Sequence, residues 1–464
     1  MRKESNKWHE AHGEQRLRNQ PIPSLVFSMS VPIMFSLLIQ ALYNVVDSIY
    51  VASYSERGLT ALSLAFPLQL ILTAVANGTG TGTGLLISRS LGAGEPERAK
   101  RLLTHGILSA IVACFLTSAA LLLLLNPYYH RFSYTPEVAQ LGNEYGTIVI
   151  MLSGFLFLES VCTRAVQARG NTLLPMMYQS LGAVVNIVLD PVLIFGAGPI
   201  APMGIRGAAI ATVLGQAVSM LCALVSVTRH RQFQKCRICP AFMLSIYQAG
   251  LPTMLGSGLV SAYIIGLNGV LIRFSEYAVT SLGIYYKIQT FLLMPTYGLE
   301  QGILPVLSYN LGAKENTRVW KTFQFSLAVS SASLILGTIG TNVCLDWILD
   351  LFSAGPELRA TAIPALHRIS LAFPFFGVTI LIPALLQASG RLRQCLSVVI
   401  LRQVILLVPL AFLLSLLGLN YTWLTFPISE IVAAILCLFY LRRFSNVMKQ
   451  TGEIKLLASE KIIF

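Results

Sequence analysis

The chain has 464 residues and a net charge of +13, and 55% of its residues are hydrophobic while only 11% are charged. Its mean hydropathy of +0.69 means that it carries more apolar surface than a water-soluble core can bury. The composition therefore excludes a water-soluble protein and predicts a polytopic membrane protein.

Long apolar stretches follow one another along the whole chain, with most charged residues in the gaps between them. A helix needs about 20 predominantly apolar residues to cross a bilayer, and twelve segments meet this requirement. We number them spans 1 to 12, with six in each half of the chain. Their predicted limits are 24–52, 59–86, 102–125, 138–164, 172–196, 205–228, 245–272, 280–308, 322–350, 358–386, 393–417 and 421–442.

The two halves of the chain match each other at a constant offset of 220 positions. Leu91-Gly92-Ala93 falls on Leu311-Gly312-Ala313, and Pro32 falls on Pro252. Such internal repeats are common among membrane transporters. Because six spans are an even number, both halves enter and leave on the same side of the membrane. The predicted fold is all-α, with twelve transmembrane helices in two six-helix lobes related by a pseudo-two-fold axis along the membrane normal.

Lys and Arg are distributed unequally between the two sides of the predicted membrane. Counted together with the two residues at each adjoining span end, the termini and the loops between spans 2–3, 4–5, 6–7, 8–9 and 10–11 hold 25 of them, and the opposite loops hold 5. This asymmetry places both termini in the cytoplasm and accounts for the positive net charge without a nucleic-acid partner. The predicted organisation is an N-terminal segment 1–23, an N-lobe 24–228, a connector 229–244, a C-lobe 245–442 and a C-terminal tail 443–464.

Polar residues that only one half possesses are the first candidates for function. Asp47 in span 1 matches Leu267 in the repeat, and a carboxylate at the centre of a bilayer costs about 2.5–3.5 kcal/mol on insertion scales. Gln40 and Asn44 precede it at helical spacing, so the three side chains form one polar stripe. This stripe indicates a functional face on span 1.

A second polar group lies in spans 5 and 6. Asn186 and Asp190 share one face of span 5, Thr212 lies in span 6, and the repeat partners of all three are apolar. Together with Asp47 they lie within roughly 10 Å of the predicted outer boundary. Two carboxylates, an amide and a hydroxyl at one depth predict either a proton-binding pair or an oxygen cage for a monovalent cation such as Na⁺. The alternative, pairing with a basic residue, is disfavoured because spans 1, 5 and 6 carry no Lys or Arg at this depth.

Several other charged residues occur within the spans. Lys287 in span 8 either reaches the membrane surface or lines the cavity. Glu300 and Gln301 lie deeper in the same span, where the carboxylate either attracts cationic compounds or is a structural group. Arg402 in span 11 and Glu430 in span 12 are expected to form an ion pair. Glu159 and Arg164, at the inner end of span 4, are expected to take part in packing between the lobes or at the inner gate.

Motifs for enzymatic chemistry are absent from the sequence. It contains no nucleotide-binding P-loop and no His-based or metal-binding motif. Cys236 and Cys239 form a single CxxC in the connector, and without further ligands this pair does not predict a metal site. We therefore expect a protein that is not an enzyme and needs no cofactor.

Six segments carry a resemblance to a known family. They are Ser30 to Pro32, Ala41 to Asp47, Leu91 to Gly94, Gln167 to Asn171, Gly207 to Thr212, and Pro295 to Gly302. At these residues the chain resembles the multidrug and toxic compound extrusion (MATE) family, and the resemblance covers nearly all of the sequence. The likeness is greatest to its bacterial multidrug exporters.

The resemblance implies secondary active export of lipophilic, often cationic organic compounds in exchange for H⁺ or Na⁺. In the family branch with an N-lobe cation site, the coupling residues correspond to Asp47, Asn186, Asp190 and Thr212, and Pro32 corresponds to the proline at which span 1 bends. It also implies a monomer in the bacterial plasma membrane. A flippase for lipid-linked saccharides, from the wider superfamily, is the alternative, but a flippase should show more basic residues facing its cavity.

The predicted orientation can be tested with reporter fusions. Green fluorescent protein fused to the C-terminus should fluoresce, whereas alkaline phosphatase at the same point should be inactive, because its disulfides do not form in the reducing cytoplasm. A fusion in the loop between spans 1 and 2, at Glu56, should give the opposite pair of results. Active phosphatase at the C-terminus would contradict the orientation.

Overall fold

The fold is described from a computed structural model that covers residues 15–133, 135–229, 233 and 237–451, with side chains to residue 447. Parts of the predicted N-terminal segment, connector and C-terminal tail, including Cys236, lie outside these residues. The described chain is helical, and its single β-bridge joins Ala197 to Ile200 in the loop after span 5. The predicted all-α fold with twelve membrane helices in two lobes is confirmed.

The first six spans are formed by seven helices, because span 4 is divided in two. Their bounds are Ile22–Tyr54, Glu56–Gly92, Pro96–Phe132, Pro136–Met151 with Gly154–Gln167, Leu173–Phe195 and Ile205–Arg229. Span 2 has 37 residues and is therefore about 55 Å long. A helix of this length extends beyond the hydrocarbon, which explains why it starts before and ends after the apolar stretch at 59–86.

The last six spans repeat this pattern. Their bounds are Pro240–Leu271, Glu276–Gly312, Asn316–Val343, Pro356–Ser370 with Phe373–Ala388, Leu392–Ser415 and Leu419–Val447. Within the described residues, nine helices are long and apolar enough to cross a membrane, and spans 4 and 10 qualify as bent pairs. Span 8 is the remaining one; it has 37 residues and carries Lys287 and Glu300.

Spans 4 and 10 bend at equivalent positions, by 43° and 46°. In span 4 the break follows Met151 and contains Ser153 next to Gly154, a residue pair that commonly kinks helices. In span 10 the second helix begins at Phe373 and has Pro374 in its first turn, where proline is tolerated. Different residues therefore produce the same bend in the two halves.

Loops at equivalent positions also use equivalent geometry. The Ser55 hydroxyl accepts a hydrogen bond from the Gly58 N–H at 3.1 Å, and Ser275 caps span 8 in the same way at 3.1 Å. Gly170 and Gly390 follow the ends of spans 4 and 10 with φ of 82° and 76°, a conformation that favours glycine. The duplication is thus preserved in the backbone as well as in the sequence.

The described chain forms two compact units, and the boundaries between them lie inside spans 1 and 7. The first unit contains Phe35–Gly258 and the second contains Pro21–Met34 together with the chain from Leu259 onward. Each unit therefore includes a helical segment from the other half of the sequence. The assignment of whole spans to the N-lobe and C-lobe, with a boundary in the connector, stays a prediction.

Glycines explain how span 7 enters the first unit. A Cβ atom at Gly82 of span 2 would overlap the carbonyl oxygen of Ile246, and one at Gly250 would overlap the carbonyl oxygen of Gly78. The two backbones are in direct contact, which only a residue without a side chain permits. The beginning of span 7 is thereby fixed against span 2.

The second unit contains the equivalent contact between spans 8 and 1. A Cβ atom at Gly298 would overlap the side chain of Met34, and one at Gly302 would lie 2.8 Å from the Cα of Ser30. Gly298 and Gly302 are the repeat partners of Gly78 and Gly82 in span 2. The same close packing therefore holds the beginning of span 1 in the second unit.

Replacing Gly82 with alanine should destabilise the protein by about 1–3 kcal/mol, because the added methyl group overlaps backbone atoms that cannot move aside. The matched control is Gly283→Ala, since a Cβ atom at Gly283 meets nothing within 4 Å. Thermal unfolding of the two purified variants in detergent measures the difference. Equal unfolding temperatures would contradict the close contact.

Candidate cation-coupling site

Asp47 and Asp190 are buried side chains in the first unit. The exposed fraction is 8% for Asp47, 2% for Asn186 and 0% for Asp190. Spans 5 and 6 cross at Gly182 and Gly215, where a Cβ atom on either residue would lie 2.6 Å from the carbonyl oxygen of the other. This crossing brings Asn186 against span 6. The site is thus built on closely packed helices and not on loops.

The site holds more acceptor oxygens than donors. Asn186 donates from Nδ2 to Asp190 Oδ1 at 3.3 Å, and the charge of Asp47 acts on Asp190 across the site. Asp47 Oδ1, Asn186 Oδ1 and Asp190 Oδ2 are buried without a hydrogen-bond partner in the described part of the chain. Oxygens in this state suit a proton or a hard cation, because either would satisfy them.

Tyr145 of span 4 belongs to the same site, although the sequence analysis did not identify it. Its hydroxyl accepts a hydrogen bond from Gln69 Nε2 at 2.9 Å, Thr212 lies near it, and the charge of Asp47 acts on it. The repeat partner of Tyr145 is Ala365. The comparison of polar residues between halves that identified Asp47 would therefore have identified Tyr145 as well.

A cavity of about 130 Å³ extends from this site between spans 1, 2, 4, 5 and 6. Of the predicted residues, Gln40, Asn186 and Thr212 line it, whereas Asn44 is exposed and is not part of the wall. Pro32 lies inside the continuous helix Ile22–Tyr54, and a bend there stays a prediction. The polar wall of the cavity consists of Ser36, Gln40, Tyr43, Thr73, Glu159, Gln179, Asn186, Thr212, Gln216 and Ser219.

The predicted residues of span 8 lie in the second unit. Lys287 is exposed, and its Nζ atom lies 5.1 Å from the centroid of the Phe352 ring. Its aliphatic chain can therefore extend toward water while the ammonium group contacts an aromatic face. Glu300 and Gln301 are partly buried, and their assignment to a substrate cavity stays a prediction.

The predicted ion pair between Arg402 and Glu430 is confirmed. Arg402 Nε lies 2.9 Å from Glu430 Oε1, and Thr379 donates to Glu430 Oε2 at 2.7 Å. The guanidinium group also lies 5.3 Å from the centre of the Phe376 ring. Arg402 is carried by a π-helical turn, Leu401–Leu406, which distinguishes span 11 from its repeat partner. The buried acid of the second unit is therefore compensated by a base.

Clusters suited to a bound metal were found nowhere in the described residues, where no group of three or more His, Cys, Asp or Glu side chains could hold one. Cys239, the described member of the CxxC, donates its backbone N–H to His105 Nε2 at 3.0 Å. A coupling ion at Asp47 and Asp190 would instead be bound by two carboxylates with neutral oxygen ligands.

The sequence matches the MatE family model twice, at residues 32–192 and 252–413. The two matches begin 220 positions apart, in agreement with the duplication. Among curated proteins, a relative named FAD transporter from Shewanella oneidensis is 25% identical over 94% of this chain and 98% of its own. The multidrug export protein MepA of Staphylococcus haemolyticus is 26% identical over 90% of this chain and 92% of its own.

Solved structures share the same fold. One is the outward-facing conformation of a multidrug resistance MATE family transporter of the MOP superfamily, with a TM-score of 0.87 and 23% identity, covering 95% of this chain and 99% of that one. A MOP superfamily transporter from Pyrococcus furiosus has a TM-score of 0.86 and 24% identity over the same shares. The likeness extends over both halves of the chain.

Removing the base from the buried ion pair should be costly. Arg402→Leu leaves Glu430 buried without its counter-charge and should destabilise the protein by about 3–5 kcal/mol, whereas Arg402→Leu combined with Glu430→Leu should recover most of the loss. The control is Arg359→Leu, because Arg359 pairs with the exposed Asp346 and such pairs contribute about 0–1 kcal/mol. Thermal unfolding in detergent compares them, and a double variant less stable than Arg402→Leu would contradict this account.

Proposed function

Because the chain belongs to the MatE family of membrane transporters, we propose that it exports lipophilic, often cationic organic compounds by antiport with H⁺ or Na⁺. As a member of this family it is a transporter and not an enzyme. We place it in the bacterial plasma membrane with both termini in the cytoplasm, acting as a monomer without a cofactor. The coupling residues are Asp47, Asn186, Asp190 and Thr212.

The observation that supports this proposal best is the set of unsatisfied oxygens at Asp47, Asn186 and Asp190. Two carboxylates in a water-poor site repel each other when both are charged, and burial also disfavours the charged form. Binding of a proton or of Na⁺ removes this repulsion and supplies the missing partner. The empty and cation-bound states therefore favour different arrangements of spans 1 and 5.

The continuity of span 1 supports a route from the cation to the rest of the protein. Asp47 lies in the part of the helix that belongs to the first unit, and Pro21–Met34 belongs to the second. A rearrangement around Asp47 displaces one end of a helix whose other end packs on Gly298 and Gly302. Antiport follows if the cation and the exported compound favour opposite states of this arrangement.

The charge of the cavity favours a positively charged occupant. The cavity wall carries the acidic residue Glu159 and no Lys or Arg among its described residues. A flavin dinucleotide or a lipid-linked saccharide carries phosphates, which proteins bind with basic groups and backbone N–H donors. With about 130 Å³, the cavity is also smaller than the roughly 300–1,000 Å³ of sites for drug-sized ligands, so it suits the coupling ion and water.

Asp47→Asn should abolish coupled efflux while leaving the protein folded, because the amide neither binds a proton nor compensates Na⁺. The measurement is uptake of a fluorescent lipophilic cation into inverted vesicles, which corresponds to efflux from the cell, first under an imposed pH gradient and then under an imposed Na⁺ gradient. Wild-type vesicles identify the coupling ion by the gradient that drives efflux.

The control for this substitution is Asp346→Asn, which makes the same change at a carboxylate that is 83% exposed. It should transport at the wild-type rate. Efflux by Asp47→Asn at the wild-type rate would refute the assignment. Efflux of a flavin dinucleotide, but not of the cation, by wild-type vesicles would instead favour the activity that the Shewanella relative is named for.

A further inference from the structure

Glu159 is a buried carboxylate that the proposed coupling site does not use. It lies in the second helix of span 4 and retains 9% of its exposed surface. Its repeat partner is the uncharged Thr379, so the second half of the chain folds without an acid at this position. A buried acid that the common scaffold does not require needs a separate reason to exist.

Three side-chain donors converge on one oxygen of Glu159. Its Oε1 accepts from Thr163 Oγ1 at 2.8 Å, Gln179 Nε2 at 3.2 Å and Ser219 Oγ at 3.5 Å. These donors come from spans 4, 5 and 6, and hydrogen bonds of this kind hold a carboxylate in one orientation. Side chains from three spans therefore fix the orientation of the Glu159 carboxylate.

The same polar cavity connects Glu159 with the coupling site. Glu159 forms part of its wall together with Asn186 and Thr212, and Tyr43 and Gln216 also line it. Asn186 Oδ1 and Gln216 Oε1 are buried without a hydrogen-bond partner among the described residues. A volume of about 130 Å³ holds about four waters, which would link these oxygens into one path.

The two ends of the path are well separated along the helices. Gln179, which donates to Glu159, precedes Asp190 by eleven residues on span 5, about 16 Å along the axis. Asp190 lies near the end of that span and Gln179 near its beginning. Glu159 and the coupling site therefore lie at opposite depths of the first unit.

Few charged or titratable groups surround Glu159. Arg164, on the same helix, acts on its charge, and Tyr43 of span 1 and Cys162 of span 4 lie within reach of that charge. The wall residues nearest to it from spans 2, 5 and 6, such as Thr73, are uncharged among those described. Burial disfavours the ionised carboxylate of Glu159, whereas its three donors and the charge of Arg164 favour it, so the group can bind a cation and also release it.

We propose that Glu159 is a second binding station for the coupling cation, from which a proton or Na⁺ that has left Asp47 and Asp190 is released on the cytoplasmic side. This inference rests on the proposed function and adds a residue to it. The cation passes through the polar cavity between the two stations. No covalent step is involved, since the ion is bound at one carboxylate and then at another.

Glu159→Gln tests the inference with two readouts. Transport of the fluorescent lipophilic cation rhodamine 6G into inverted vesicles, the equivalent of efflux from the cell, should fall by about tenfold or more. The effect of the coupling ion on the equilibrium affinity of purified protein for rhodamine 6G should stay as in the wild type, because the outer station is intact. Asp47→Asn should lose both the transport of rhodamine 6G and the effect of the ion on its affinity. General damage to the fold would also reduce both quantities.

The matched control is Glu144→Gln, the same substitution on the same span at a residue that pairs with Arg206 outside the cavity. It should behave as wild type in both readouts. Thr163→Val provides a second test that keeps the carboxylate but removes its 2.8 Å donor. The station should then hold a proton more tightly, so half-maximal efflux should shift to a higher cytoplasmic pH, or to a lower cytoplasmic Na⁺ concentration if Na⁺ is the ion.

Each outcome decides between the proposals. Wild-type vesicles without efflux under either gradient would overturn the proposed function and this inference together. Coupled efflux by the wild type, with Glu159→Gln equally active or losing the ion effect on affinity as well, would overturn the second station alone. If Glu159→Gln does not fold, an unchanged efflux profile of Thr163→Val would overturn it.

Discussion

The fold depends on how buried charge is compensated inside a membrane. A carboxylate surrounded by hydrocarbon needs a counter-charge or donors, and the two compact units meet this need differently. In the second unit, Arg402 neutralises Glu430 permanently and Thr379 completes the pair. In the first, Asp47 and Asp190 are left with unsatisfied oxygens. In the function proposed above, a mobile cation is the partner that these oxygens lack, and the asymmetry would then separate a structural charge pair from a coupling site.

Beneath this asymmetry lies a scaffold that both halves share. Bends in spans 4 and 10, serine caps at Ser55 and Ser275, and glycine contacts at Gly82 and Gly302 recur at the same offset. These features concern the backbone, which has to satisfy its hydrogen bonds inside the helices of any membrane span. The two halves therefore differ mainly in their side chains, and the π-helical turn of span 11 is a local exception in the backbone.

Much of this architecture could be predicted from the sequence because membranes impose simple rules. Apolar length identified the spans, and the comparison of the halves brought Asp47, Asn186, Asp190 and Thr212 forward as one group. The helix ends were less predictable, because hydropathy reports only the part of a helix inside hydrocarbon. The bends in spans 4 and 10 were not predicted, since an apolar stretch does not reveal a change of direction.

For some residues the role indicated by the sequence differs from the place in the structure, because that place depends on contacts with other spans. Tyr145 joins the site only because span 4 packs beside span 6, and Glu159 was expected in packing until its three donors and the cavity were visible. Asn44 illustrates the opposite case: helical spacing placed it beside Asp47, yet its side chain is exposed. Spacing along one helix defines a face, but the neighbours of that face come from other spans.

The division of spans 1 and 7 between the two units has a consequence for the origin of the protein. Pro21–Met34 completes the unit formed by the second half, and the beginning of span 7 completes the unit formed by the first. A half-length ancestor would thus have left its own unit incomplete and would have needed a second copy to lend it the missing segment, as in a domain-swapped dimer. A gene fusion would have made this reciprocal exchange permanent within a single polypeptide.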